Sequence, residues 1–551
     1  MRRISQTTNM PSRRRIHWRW VPLGASVVLL CIGLLATKSL AAAETPRRPN
    51  VLRLARIIDP STLDPALIQL QEDIMLFPLL HLPLLDVTNG TQLMPCAAKV
   101  WSCSADQRVF TLELRPGVTF SNGREVVADD YVYALERILN PATAAMFSGY
   151  LQGIRGAQAF VAGETNHVVG LRASSPDTLV VELERSDPTF PFLLANVPGA
   201  AVPREEVERL GRNFSVQPVG AGPYRVQSWV RGARLQLSRN PHYHGPVPQH
   251  FEGVDLLIGG DETTHLMMFE RGELDIANIN LIGIPLPSFR RLTGDPRWHG
   301  LIERETLFQT DYVALNTEIP PLDNLKVRRA INHAIDRDRR MRVDQGYFTH
   351  AEGAIPPIMP GFNSQLRGYD YNPTKARELL RDSGLPLPLR TTMWHGTEER
   401  VRVLAQGIQW DLHQVGIEVA LKPVATAELF TSAQKRGLVP MTLSGWFVGI
   451  PDPVDMLGAL FDGRAVTSAA TMNLAFYNNP EVNRLLDQAA SEVNLSQRFA
   501  RYQHAEELIV RDAPWAFLGH QSLYALRQPW LKGPLMEPIW VYRFDRVWIE
   551  N

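Results

Sequence analysis

The 551-residue chain has no excess charge of either sign, with 57 Lys+Arg against 57 Asp+Glu, and its pI is near 7.3. That balance gives no electrostatic footprint for a polyanion, so nucleic acid is not an expected partner. Cysteine is scarce, at three residues, so the fold must rest on a core and not on crosslinks. No apolar run reaches the ~20 residues of a membrane-spanning helix. Chemistry is missing too. No His is followed by Glu, so no H-E-x-x-H zinc site exists, and no Gly precedes a Lys, which removes the Walker A loop. No G-x-S-x-G elbow is present. Gly220-Ala221-Gly222-Pro223-Tyr224-Arg225 fails as a dinucleotide fingerprint at its third glycine, and Pro223 would block the helix start. His242 and His244 share a side but lack nearby co-ligands, which favours surface or capping roles over a metal. Nothing in this inventory argues for catalysis.

What is present is the composition of a globular protein, 45% hydrophobic and 21% charged. Arg2, Arg3, Arg13, Arg14, Arg15 and Arg19 precede the first acidic residue, Glu44. An apolar run from Val21 to Ala36 and the stretch Ser39-Leu40-Ala41-Ala42-Ala43 follow. Basic, apolar, then A-x-A predicts a secretory signal over residues 1–43, with an uncleaved anchor as the competing reading. Ser12-Arg13-Arg14-Arg15-Ile16 partly resembles a twin-arginine signal, but His17 departs from it. Cys31 follows Leu29-Leu30, unlike a lipoprotein site. Cys96 and Cys103 remain, and an even pair in an oxidising compartment reads as one disulfide worth roughly 2–3 kcal/mol. Two buried thiols are the alternative.

Strands are expected at 51–58, 110–115, 178–183, 234–238 and 418–421, from apolar alternation ended by turn residues. Helices are expected at about 129–138, where Pro141 stops the pattern, and at 327–337. Others should follow Pro373 and Glu398, and lie around 481–492 and 497–510. Intermixed strands and helices without a linker-like break indicate α/β lobes joined by ordered crossing segments.

Several blocks recur in an order that is specific. Leu63-Asp64-Pro65 is followed by Phe110–Pro141 (FTLELRPGVTFSNGREVVADDYVYALERILNP) and by Pro218–Tyr224 with Arg239–Gly245. Phe269–Asp275, Val327–Arg337, Gly445-Trp446 with Pro451-Asp452-Pro453, Tyr477–Glu481 and Asp512–Trp515 complete the series. Together they resemble the family-5 extracellular solute-binding proteins, the oligopeptide, dipeptide and nickel receptors of ABC importers. The resemblance implies an α/β, two-lobe periplasmic-binding-protein type II fold with a hinge-closed cleft. It places lobe I in 44–90, 205–310 and 521–551, an extra subdomain of lobe I in 91–204, and lobe II in 311–520.

It also implies a non-enzymatic, periplasmic monomer without a cofactor. Such a receptor captures a peptide or peptide-like solute and delivers it to a membrane permease whose ATPase is the partner's. The competing readings are a sugar, opine or metal-chelate receptor of the same family, a ligand sensor acting through another membrane partner, and a secreted hydrolase. By resemblance the cleft is lined by Trp446, Phe447, Val448, Gly449, Ile450 and Asp452, by Trp394 and His395, and from lobe I by Gln71 and Glu72. Peptide-binding members carry an Asp three residues after the Gly-Trp tryptophan, paired with the peptide's α-ammonium group. Here that position is Gly449. Asp452 either substitutes for it or is a structural turn residue before Pro453.

Overall fold

The computed structural model describes residues 50–281, 283–466 and 471–550. The expected signal over 1–43, with its arginines and Cys31, lies outside the described residues. No helix among the described residues is long and apolar enough to cross a membrane.

Three larger sheets, beside three two-stranded ones, organise the described residues from Asn50 onward. The first follows from the VLRLAR pattern, which buries Leu52 and Leu54 on one face of the Val51–Arg56 strand. It pairs in parallel with Gly253–Ile258, and Arg234–Arg239 and Tyr224–Val230 extend the sheet antiparallel. The second sheet is four-stranded and antiparallel, in the order Ala98–Cys103, Val109–Leu114, Thr178–Glu182, Leu171–Ser175. Its Phe110, Leu112, Leu179 and Val181 share a core with Tyr131, Leu135 and Ile138 of the Ala128–Leu139 helix. The third has six strands, ordered Phe348–Thr349, Trp515–Leu526, Ile302–Leu315, Met441–Phe447, Leu389–His395, Ile417–Pro423.

The two longest strands of that third sheet, of 14 and 12 residues, explain how two lobes form without a flexible linker. Ile302–Leu315 and Trp515–Leu526 pair antiparallel along their length, with register shifts between Thr306 and Thr310 and between Asp311 and Tyr312. On one side of the shifts, Leu307, Leu523 and Ala525 pack into the core of the first sheet. On the other, Val313, Leu315, Ala516 and Leu518 pack under the Leu325–Ala334 and Glu399–Gln414 helices. One continuous pair of strands therefore enters two cores, and the bulged stretch between them is where it can bend.

Several of the recurrent sequence blocks are accounted for by this scaffold. Asp64 caps the Pro65–Leu67 turn and takes both ends of the Arg137 guanidinium at 2.7 and 2.6 Å, tying L-D-P to the Ala128–Leu139 helix. Gly220 and Gly222 sit against the Leu80–His81 backbone, where an added Cβ would lie 2.1 and 2.3 Å from its atoms. Asp512 accepts from Tyr477 Oη and Asn479 Nδ2, at 2.8 Å each, joining the last two blocks.

The cysteine pairing is corrected. Cys96 is buried, Cys103 is exposed, and both are free. Ala98–Cys103 is an extended strand, so at ~3.3 Å per residue Cys103 lies ~17 Å beyond Ala98, whereas a disulfide needs Cα atoms within ~7 Å. Thiol titration of the unfolded chain from residue 44 onward should therefore count two thiols without reductant. Dithiothreitol should leave its melting temperature where it was; a reductant-dependent fall would restore the bond.

Candidate functional site: the Trp446–Asp455 loop

Strand alternation decides which side chains of the six-stranded sheet are available. Leu389–His395 runs parallel to Met441–Phe447, with Met393 opposite Met441 and Trp394 opposite Thr442. Met393, Met441 and Leu443 enter the core under the helices. Residues on the other face alternate with them, so Thr442, Ser444, Trp446 and Trp394 look the opposite way. Trp394 and Trp446 pack there against a core shared with the 98–195 segment. The Lys422 ammonium lies 3.3 Å from the Trp394 ring centroid. Trp446 keeps a buried indole Nε1 with no hydrogen-bond partner among the described residues.

Beyond Phe447 the chain leaves the sheet. Val448 N–H donates to Phe308 O at 2.8 Å, and Val448 and Ile450 are buried. Phe447 is half-buried against the core of the first sheet. The amides of Gly449 and Ile450 both donate to Asp455 Oδ2, at 2.7 and 3.1 Å. Tyr150 donates its hydroxyl to the other oxygen, Oδ1, at 2.9 Å, and Asn196 Nδ2 donates to Gly449 O at 3.3 Å. Burial raises the Asp455 pKa to about 6 against the opposing effect of these donors, and Asp452 nearby raises it further. The Tyr150 phenol is pushed up by burial and by the Asp455 charge.

Asp452 is bonded in the way the structural reading expects. Its oxygens take Arg498 Nη2 and Nε at 2.8 and 3.1 Å, and Oδ1 also accepts from Val454 N at 2.9 Å. Arg498 is fully buried and spends its remaining donors on Ala489 O and Ala490 O. Neither Asp452 nor Asp455 is a free carboxylate.

The other expected lining residues lie on other elements. His395 is buried at the strand end with Nδ1 2.7 Å from Gly396 O. Gln71 donates to Ile539 O at 2.9 Å, in the C-terminal segment. Glu72 is half-buried, and the neighbouring Asp73 is the carboxylate engaged by Arg56 and Ser61. Asp455, Tyr150 and Asn196 were not singled out in the sequence. Tyr150 and Asp455 are 305 residues apart, beyond any local pattern. Asp455 had a weak signal, a second acid close behind Asp452-Pro453.

Comparison with known proteins fits this architecture. A probable di/tripeptide-binding protein 5 from Pseudomonas aeruginosa is 28% identical over 483 residues, covering 85% of this chain and 89% of its own. A solved clavulanic acid biosynthesis oligopeptide binding protein 2 superposes with a TM-score of 0.82 at 25% identity, covering 91% of this chain and 95% of that one. The ABC transporter-associated periplasmic binding protein DppA from Helicobacter pylori, solved with the peptide STSA, gives a TM-score of 0.78 at 25% identity, with 91% and 98% covered. The family model for bacterial extracellular solute-binding proteins, family 5, middle region, matches residues 92–468. The two-lobe α/β fold and the match across most of the chain place this protein in family 5 of the bacterial extracellular solute-binding proteins.

Proposed function

We propose that the protein captures a peptide or peptide-like solute between its two lobes, outside the cytoplasmic membrane, and hands it to the permease of an ABC importer. In this reading residues 1–43 direct export. Lobe I comprises 44–90, 205–310 and 521–551, its subdomain 91–204, and lobe II 311–520. The observation that carries the reading is the placement of the Trp446–Asp455 loop. It hangs from the end of a sheet strand, presents an unpaired indole N–H, and is touched by Asn196 and Tyr150 from the 91–204 segment. A seam of that kind, apolar with a few placed polar groups, is how small solutes are held. Family membership and the peptide-binding relatives support the ligand class.

The ligand's amine is where this chain is expected to differ from a free-peptide receptor. Gly449 supplies no carboxylate, and Asp452 and Asp455 are both committed. A desolvated ammonium without a partner is costly. Thermal-shift measurements with di- to pentapeptides should therefore show stabilisation by mass action, with N-acetylated peptides as effective as free ones. Gly449→Asp fits the space, because its Cβ would stand 3.7 Å from Asp455 Oδ2. The variant should prefer the free amine by roughly tenfold, or about 1.4 kcal/mol. A strong wild-type preference for free amines would overturn the neutral-site reading. Turnover of any captured peptide by the purified protein would overturn the receptor reading itself.

A further inference from the structure

Two segments far apart in sequence meet on one carboxylate. Asp455 lies in the helical turn Val454–Gly458, within the stretch assigned to lobe II, and is 3% exposed. Its Oδ2 holds the amides of Gly449 and Ile450, and its Oδ1 takes the hydroxyl of Tyr150, from the Ser148–Leu151 turn of the 91–204 segment. The peptide carbonyl of Gly449 is held from the same segment by Asn196, whose own Oδ1 is fixed by Val197 N at 2.7 Å. Gly449 is thus gripped at its N–H through Asp455 and at its C=O through Asn196. Arg185–Asp487 also crosses between the segments, at 3.2 Å, but its side chains are 67% and 44% exposed, and such pairs contribute little.

We propose that Asp455 is the positioning residue of the ligand loop and that Tyr150 sets it: the Gly449–Ile450 backbone takes its ligand-holding shape only while the 91–204 segment supplies the Tyr150 hydroxyl to Asp455. This rests on the receptor reading above for its ligand and on the geometry alone for the coupling. The physical argument is one of shared charge. A buried carboxylate is costly unless its acceptor sites are filled, and charge-assisted hydrogen bonds are the strong ones. Withdraw the phenol and Oδ1 loses that hydrogen bond in a site only 3% exposed. The carboxylate then gains by turning toward water, which releases both amides on Oδ2. Contact between the two segments and the shape of the loop become one equilibrium. The bland alternative is a purely local brace, in which Oδ2 would hold the amides whether or not Tyr150 is there.

Tyr150→Phe separates the two, since it removes only the oxygen that bridges. Hydrogen exchange of the ligand-free protein should show the amides of Gly449 and Ile450 opening about tenfold faster, the factor of a lost hydrogen bond to a charged group. Amides of the Ala128–Leu139 helix should be unchanged. Affinity for N-acetyl-trialanine, read by calorimetry, should weaken by a similar factor. Asp455→Asn keeps an acceptor for the amides and a polar group for Tyr150, and should fall between wild type and Asp455→Ala. Wild-type exchange at both amides in Tyr150→Phe overturns the coupling. Faster exchange with unchanged affinity overturns the ligand role and leaves a coupling that serves the fold alone. Should the wild type bind neither N-acetyl-trialanine nor free trialanine, the receptor reading is what fails, and the ligand-free exchange still decides the coupling.

Discussion

Replacing Asp452 with alanine is expected to cost the fold about 3–5 kcal/mol, because it leaves a fully buried guanidinium without its counter-charge. Arg498 would retain Ala489 O and Ala490 O, but two neutral acceptors do not neutralise a cation in a dry environment. The loss should appear as a lower urea midpoint at unchanged slope. Arg498→Met alone should be less severe, since Asp452 is 6% exposed and can turn toward solvent. The pair Asp452→Ala with Arg498→Met should recover most of the loss, as hydrophobic replacement of buried ion pairs often does. What distinguishes a structural Asp452 from a ligand group is the folded fraction. Below the urea transition, Asp452→Ala should bind the wild-type protein's peptides with the same affinity. Loss of binding at full stability would return Asp452 to the ligand.

Much of the scaffold was legible because it is written in local pattern. The alternation of VLRLAR and FTLELR marked strands that run as Val51–Arg56 and Val109–Leu114. Asp129 before Tyr131, Ala134, Leu135 and Ile138, with Pro141 beyond, marked the Ala128–Leu139 helix to within about one residue at each end. The helix expected at 327–337 stops at Ala334, because Asp336 caps a second helix, Arg337–Val343. The two long crossing strands were not legible as strands. Ile302–Leu315 carries Glu303, Arg304, Glu305 and Asp311 and shifts register, which breaks the period of two. Trp515–Leu526 is buried almost throughout, yet Gly519, His520, Gln521 and Ser522 interrupt its apolar run. At the candidate site, Trp446 and Trp394 were proposed through resemblance and Asp452 was suspected as a turn residue. The carboxylate that holds the loop was missed, because its role depends on Tyr150 and on backbone amides that no pattern announces. The disulfide expectation failed for a related reason: parity and compartment say nothing of whether the intervening residues are extended.

The largest pH effect is expected to stay hidden until one side chain is removed. Glu506 is buried, and that burial raises its pKa from 4.5 to about 7, against the pull of the Ile355 and Ala354 amides. Asp455 is raised from 3.8 to about 6 for the same first reason. An acid with a raised folded pKa binds its proton more tightly when folded, so its contribution is fully present below the unfolded pKa and lost as pH rises through the folded one. Buried histidines act in the opposite direction. His81 is lowered from 6.5 to about 4 by burial, offset in part by the Leu63 carbonyl, and burial lowers His520 to about 3. Their contribution is present above pH 6.5 and lost as pH falls toward those values. Between pH 5 and 7 the two sets oppose each other, so the wild-type profile should be flatter there than either set alone would make it. Glu303, Glu305 and Glu537, also raised by burial, add to the carboxylate side. Glu506→Gln takes away one raised acid and leaves the histidines. At pH 8 the variant should be more stable than wild type by up to about 3 kcal/mol, at ~1.36 kcal/mol per pKa unit. At pH 5, where Glu506 is protonated in the folded protein but already partly ionised in the unfolded chain, the difference should shrink to under about 1 kcal/mol. Urea titrations at pH 5 and pH 8 check this, and an equal difference at both would mean that Glu506 does not titrate between them. The variant's own profile should slope downward from pH 7 toward pH 5, because the histidine term is then less opposed.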